Sequence, residues 1–327
     1  MITTEKSLEV SSDNFRNYTD SKFQDRVERT YREMQTNQTV DFVKEKKQHY
    51  FKLAYGSMDV YQVFKLLEDI VDESDPDSDL PQIIHAYQSA ESICEFAMKN
   101  ETELRDDLSI KTLFKHKAWS ELPGKWRELY ESNTIKTLYS HIDDWSWFPL
   151  TGFIHDLGKV MLLPRFGQLQ QWCVVGDTYP VGAPFASSNV FYDKKYFHLS
   201  QDYPAYENIS DTKFGKYDRN CGFDAVDMSW GHDEYIYEAM RQGSLLNKES
   251  LYLLRYHSFY PWHTPQNGSM AYSELASDFD WLMLPLLKAF QKADLYSKTP
   301  DLPPQHILEA KYKKLLDKYI PAKSISW

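Results

Sequence analysis

The sequence predicts a mainly α-helical protein folded as one domain, residues 1–327, with a minor β-hairpin element. Three observations predict it. Apolar residues recur at three- and four-residue spacing along most of the chain, the period of a helix with one buried face. The length, with 42% hydrophobic and 15% aromatic residues, suffices for one substantial core. Only two short runs, "QWCVVGDT" at 171–178 and "NVFYD" at 189–193, read as strand between turn residues, which places the hairpin-like element around 171–193. No internal repeat or low-complexity segment interrupts this pattern.

In chain order, "VYQVFKLLEDIV" sets Val60, Val63, Phe64, Leu67 and Val71 on one helix face. The acidic, proline-containing "DESDPDSDLPQ" ends that periodicity as a loop, and "IIHAYQSAESICEFAMK" restarts a helix that carries His85. Further on, "FIHDLGK" at 153–159 sets a histidine and an aspartate side by side in an apolar helical stretch. In "GHDEYIYEAM" His232 falls on the face of Tyr235, Ile236 and Ala239, and in "LPLLKAFQKADLY" Asp294 shares a face with Leu287 and Phe290.

Composition excludes several classes of function. A formal net charge of −11 with interleaved signs offers no basic stripe for a phosphate backbone, so no nucleic-acid partner is expected. Three cysteines without C-x-x-C spacing argue against a disulfide framework and against a thiolate zinc site, and they suit a reducing cytosol. The first residues lack the apolar core of a signal peptide, and runs such as "WLMLPLL" at 281–287 are too short to span a bilayer. No membrane partner and a cytoplasmic location are therefore expected.

Two adjacent ionisable groups in a core are costly unless something pairs with them, and a metal ion is one such partner. His155 and Asp156 are therefore the most specific candidate ligands. His85, His232, His257 and Asp294 are the others, although a single buried histidine is more often a hydrogen-bonded core residue than a ligand. Together the six make a nitrogen and oxygen set suited to iron, manganese or zinc. Six protein ligands exceed what one catalytic ion needs, so two metals sharing a carboxylate fit the count. His49, His116, His141, His198, His263 and His306 sit among charged or loop residues and are expected at the surface, with His263 in reserve beside His257. Lys159, one turn beyond His155, reads either as a solvated lysine or as a group facing the site; its apolar surround favours the second.

These stretches, with "DNFRNYTD", "QTVDFVKEK", "IVDESDPDSDLPQ", "FIHDLGKV", "QWCVVGDTYPVG", "MSWGHDEYIY", "RYHSFYPWHT" and "DLYSKTPDLP", occur in the order found in the myo-inositol oxygenases, which the chain resembles over nearly its whole length. That resemblance implies an HD-domain-like helical bundle holding two iron ions, mixed-valent Fe(II)/Fe(III). His85, His155, Asp156 and Asp294 would bind one iron and His232 and His257 the other, with Asp156 bridging. It further implies substrate contacts from Arg16, Asp72, Ser74, Lys159, Gly176, Asp177 and Ser258. Asp156 and Lys159 would be the catalytic residues. The partners would be myo-inositol and O2, with the C1–C6 bond cleaved to give D-glucuronate. A monomer is expected; whether the product passes to a glucuronate reductase in a complex is open from sequence.

One departure stands out. His85 and His155 lie much further apart than the matching residues of the family, and the extra material, about 101–144, reads as an insertion: a surface excursion of short helices or a translated intron. The alternative activity is that of an HD-domain metal-dependent phosphohydrolase. It would leave His232 and His257 without a role and would want more lysine and arginine around the site. A catalytically inactive scaffold is the third reading, which the presence of all six ligands makes the weakest.

Overall fold

The computed structural model describes residues 16, 18–68, 70–76, 82–98, 110–203, 213–265, 267–296 and 302–327, and these are mainly helical. Residues 101–109 of the expected insertion, residues 297–301 of "DLYSKTPDLP" and most of "DNFRNYTD" before Tyr18 lie outside them. Helix α1 (Gln24–Asn37) buries Val27, Tyr31 and Met34 along one stripe. Helix α2 (Val40–Tyr50) begins at Thr39, whose hydroxyl oxygen accepts from the Phe42 amide at 3.1 Å. Strand β1 (Ser57–Met58) leads into helix α3 (Val60–Leu66), capped by the Asp59 carboxylate on the amides of Tyr61 and Gln62. Val60, Val63, Phe64 and Leu67 are buried as the periodicity predicts. The helix nevertheless stops at Leu66, and Val71 is half-buried in the loop that follows. A turn from Leu67 to Ile70 redirects the chain there, so that Asp72 and Ser74 reach the site described below.

Helix α4 (Gln82–Met98) packs on a later helix whose eight residues are all buried. Between them, the described part of the expected insertion forms helices α5 (His116–Glu121), α6 (Gly124–Ser132) and α7 (Ile135–Leu138). This part is no mere surface excursion: Phe114, Ala118, Leu122, Trp126, Tyr130, Ile135 and Tyr139 are buried, and Trp126 stacks on Trp281. The fully buried helix is α8 (Trp147–Ile154). It approaches α4 closely because Gly152 has no side chain; a Cβ there would lie 2.5 Å from Ile93 Cδ1 and 3.4 Å from the Ala90 backbone. From His155 to Leu162 the winding tightens to a 3₁₀ helix, in place of the α-helix expected from sequence.

Helices α9 (His232–Gly243), α10 (Lys248–Tyr256), the single turn α11 (Tyr260–His263), α12 (Asp278–Tyr296) and α13 (Gln305–Tyr319) complete the bundle. Asn247 caps α10, accepting from the Ser250 amide at 2.9 Å, and α13 lays Tyr312 on Phe153 with ring centroids 4.6 Å apart. The chain ends in strand β2 (Ile325–Ser326), antiparallel to β1 with Ser57 opposite Ser326 and Met58 opposite Ile325. Trp327 beyond it is fully buried.

The minor β element thus ties the segment between α2 and α3 to the last residues of the chain and does not lie at 171–193. There the backbone makes 3₁₀ turns at Gln171–Cys173 and Tyr192–Lys194, with one isolated bridge between Pro180 and Met228. Gly176, at φ +100°, turns the chain inside the first run, and no bridge joins the two runs among the described residues. Instead Tyr179 and Val181 exchange backbone hydrogen bonds with Ser229 and Asp227. Among the described residues, no helix is long and apolar enough to cross a membrane.

Candidate metal centre and substrate pocket

Five segments meet at one interior point. α4 brings His85, the 3₁₀ turn after α8 brings His155, Asp156 and Lys159, the start of α9 brings His232, the end of α10 delivers His257, and the last turns of α12 carry Asp294. The donor atoms converge. Asp294 Oδ1 lies 3.1 Å from His85 Nε2 and 3.3 Å from His155 Nε2. Asp156 turns one oxygen each way: Oδ2 is 3.5 Å from His155 and 3.7 Å from His85, while Oδ1 is 3.2 Å from His232 Nε2. His257 Nε2 completes the set, 3.0 Å from His232 Nε2. Donors each ~2 Å from a common ion lie about 3 Å from one another, so these separations are those of a ligand cage.

The chemistry of the donor set tests whether a cation fits. Backbone carbonyls lie against Nδ1 of three of the histidines: Gly152 for His155 at 2.8 Å, Val174 for His232 at 2.8 Å and Leu254 for His257 at 2.9 Å. A carbonyl only accepts, so each Nδ1 carries a proton and each Nε2 is left to face the cage. Burial disfavours a second proton on His155, but Asp156 and Asp294 outweigh it and push this imidazole up to about 9, so a metal ion would displace that proton on binding. The Nε2 atoms of His232 and His257 turn toward each other, with Asp156 Oδ1 beside that of His232, where a cation would take them as ligands. Burial and the neighbouring His155 and His232 hold His257 well below the usual imidazole range, neutral and ready to ligate. Burial works against the charged forms of Asp156 and Asp294, yet Lys159 and the histidines outweigh it and keep both carboxylates ionised. The set fits a divalent or trivalent metal.

Above the cage lies a polar cavity of about 120 Å³, and all thirteen residues singled out in the sequence line it. The 3₁₀ winding matters here, because it eclipses residues three apart and so brings Lys159 onto Asp156. Lys159 is buried, with Nζ 2.9 Å from Asp156 Oδ2, 2.9 Å from Asp72 Oδ2 and 3.4 Å from Gln82 Oε1. Desolvation favours its neutral form, but the two carboxylates outweigh it and the ammonium stays charged. The solvated reading of Lys159 is therefore excluded. Asp72 Oδ1 accepts from the Ser74 amide at 2.8 Å and hydroxyl at 2.6 Å, which fixes its other oxygen toward Lys159. Across the cavity Arg16 donates to both oxygens of Asp177 at 2.7 and 2.6 Å and lies 3.4 Å from the centroid of the Tyr260 ring. Gly176 has φ +100°, and a Cβ there would lie 2.9 Å from Met34 Sδ.

His263 corrects one sequence expectation. It is buried, because α11 folds it back beneath His257: its Nε2–H donates to the His257 carbonyl at 2.9 Å, and its Nδ1 lies 2.9 Å from the Thr264 hydroxyl. The other five histidines expected at the surface are exposed. Sequence reasoning also passed over Gln82, Tyr31, Tyr260 and Gln291. Tyr31 donates to Asp177 Oδ1 at 2.8 Å, and Gln291 donates to the His257 carbonyl. For Gln291 a signal existed: it stands three residues before Asp294 on the same helix.

The two histidine-bearing helices are also tied behind the site. Arg255, two residues before His257, forks onto Glu234, two residues after His232, with Nε 2.8 Å from Oε2 and Nη2 3.0 Å from Oε1. Both are buried. Arg255→Ala leaves the Glu234 charge with Lys47 alone, and the loss expected is about 3–5 kcal/mol of stability, read as a fall in the urea midpoint.

A polar pocket over a cage of four histidines and two carboxylates defines a class, the metal-dependent enzymes that work on small polar substrates. Comparison with known proteins narrows it. The sequence model described as myo-inositol oxygenase matches residues 24–115 and 127–327, and residues 116–126 between the two stretches fall inside the segment read as an insertion. The chain is 40% identical to the inositol oxygenase of Mus musculus over 319 residues, 97% of this chain and 92% of that protein. It is 40% identical to that of Homo sapiens over 98% of this chain and 93% of that one, and 38% identical to that of Dictyostelium discoideum over 94% and 88%. The chain belongs to the myo-inositol oxygenase family, and it is an oxygen-dependent oxidoreductase with a metal cofactor.

Proposed function

We propose that the chain opens the ring of myo-inositol with O2, cleaving the C1–C6 bond to give D-glucuronate, on two iron ions. His85, His155, Asp156 and Asp294 would hold one ion, and His232 and His257 the other, with Asp156 between them. The observation that carries this reading is Asp156, whose two oxygens face different histidines, Oδ2 toward His155 and His85 and Oδ1 toward His232, while Lys159 joins it to the substrate pocket. When bound, the irons supply Lewis acidity toward a substrate hydroxyl and the redox chemistry of O2. One oxygen atom of O2 enters the acid, the other leaves as water, and the substrate gives up all four electrons, so no outside reductant is consumed.

The chain's own residues do the rest. Asp72, Ser74, Asp177 and Ser258 offer acceptors and donors around a neutral ring of hydroxyls, and Arg16 with Tyr260 closes the far wall. The Lys159 ammonium, already aimed into the cavity, donates to the hydroxyl that must lose its proton and so stabilises the alkoxide. The phosphohydrolase reading finds little support: the cations lining this cavity are Arg16 and Lys159 among the described residues, and both are paired with carboxylates.

Lys159→Ala is expected to keep both metal ions and lose about 100-fold or more in turnover, as oxygen uptake and iron analysis of the same sample would read. Near-normal uptake would show that Lys159 does not act on substrate; loss of iron would make it support for the cage. The function itself is tested by product analysis without added reductant. One D-glucuronate per O2 consumed is expected, whereas phosphate release from phosphate esters with no inositol-dependent oxygen uptake contradicts the proposal.

A further inference from the structure

A second cavity, of about 400 Å³, lies beside the substrate pocket and shares Leu295 with it as a wall. Its lining carries three lysines, Lys115, Lys288 and Lys292, and no carboxylate among the described residues. Lys288 is the unusual one. It sits on α12, only 7% exposed, and its Nζ donates to the His263 carbonyl at 2.5 Å and lies 4.7 Å from the centroid of the Phe114 ring. Among the described residues no carboxylate pairs with it, whereas the buried lysine of the active site, Lys159, has two. A buried ammonium without a counter-charge is costly, and here desolvation together with the nearby Lys115 pulls it down to about 7.

We infer that this cavity is a binding site for a small oxyanion, a phosphate or a carboxylate, held by Lys288 at its floor and by Lys115 and Lys292 at its rim. The occupant supplies the negative charge that the described lining lacks. Three ammonium groups act as point charges on phosphate or carboxylate oxygens, and Thr112 and Thr264 add hydroxyls at the same wall. Phe114 and Lys115 lie within the stretch 24–115 that the family's sequence model matches, next to the unmatched residues 116–126.

The site has a physical route to the metal cage. Lys288 bonds the carbonyl of His263, whose ring bonds the carbonyl of His257, and Gln291, which also lines the cavity, bonds that same His257 carbonyl. An anion drawn to Lys288 therefore pulls on groups that seat a predicted ligand.

The test is a binding titration of the metal-loaded protein, without O2 and with saturating myo-inositol to fill the main pocket, using inorganic phosphate in one arm and D-glucuronate in the other. Lys115 and Lys292 are exposed, so Lys115→Ala/Lys292→Ala removes rim charge without touching the core. Saturable binding of either anion, weakened tenfold or more in the double variant, is expected, and the arm that binds more tightly identifies the source as a phosphate or a sugar acid. No saturable binding of either anion, or binding unchanged in the double variant, overturns the inference.

Discussion

Asp156→Ala is expected to lose both metal ions and with them all inositol-dependent oxygen uptake. The carboxylate stands between the two halves of the cage, one oxygen 3.2 Å from His232 and the other 3.5 Å from His155. In the proposed two-iron centre its removal would take a ligand from each ion and leave two multiply charged cations without the carboxylate between them, a repulsion that low-dielectric surroundings would not screen. His257→Ala is the contrast. It removes one imidazole from one position and should empty mainly that one. Metal analysis of the two variants beside the parent protein reads the difference directly; a full equivalent of iron retained by Asp156→Ala would show that Asp156 does not bridge.

Gly158→Ala is expected to be the most damaging of the small substitutions. A Cβ at Gly158 would stand 1.9 Å from the His232 carbonyl oxygen and 2.8 Å from its Cα. These are backbone atoms, and the His232 amide is pinned in turn to the Val174 carbonyl at 2.8 Å, so no rotamer change can make room. The turn bearing His155, Asp156 and Lys159 must then back away from α9, which parts Asp156 from His232. A loss of about 3 kcal/mol or more is expected in urea denaturation, with weaker metal retention. Gly124→Ala serves as the control: nothing lies within 4 Å of its added Cβ, it opens a helix, and the change should be neutral or stabilise by roughly 0.5–1 kcal/mol. Equal stability of the two variants would contradict the close packing of Gly158 on His232.

The six cage residues were legible because each is an ionisable group in an apolar helical setting, a costly arrangement that asks for a partner. The resemblance to a family then distributed roles among them. Position alone did not reveal His263, since "YPWHT" looks like a loop, and its burial depends on how a single helical turn folds back under His257. Gly158 was equally silent, because a glycine required by another segment's backbone looks in sequence like any other glycine. The strand-like runs at 171–193 misled for a related reason. Their runs of apolar residues between turn residues are real, but the first turns at Gly176 and, among the described residues, pairs with neither the second nor any long strand. The actual strands are two residues long, at 57–58 and 325–326, too short and too distant from each other for periodicity to register. Tertiary contacts likewise turned the 3₁₀ winding of His155–Leu162 into the feature that joins Lys159 to Asp156.

The iron content of protein that is turning over inositol tests the central claim most directly. Two iron ions per chain, falling together with oxygen uptake as a chelator removes them, are predicted from a carboxylate whose two oxygens face different histidines, His155 and His232. One iron per chain at full activity, or full activity with a redox-inert divalent metal in its place, would contradict it.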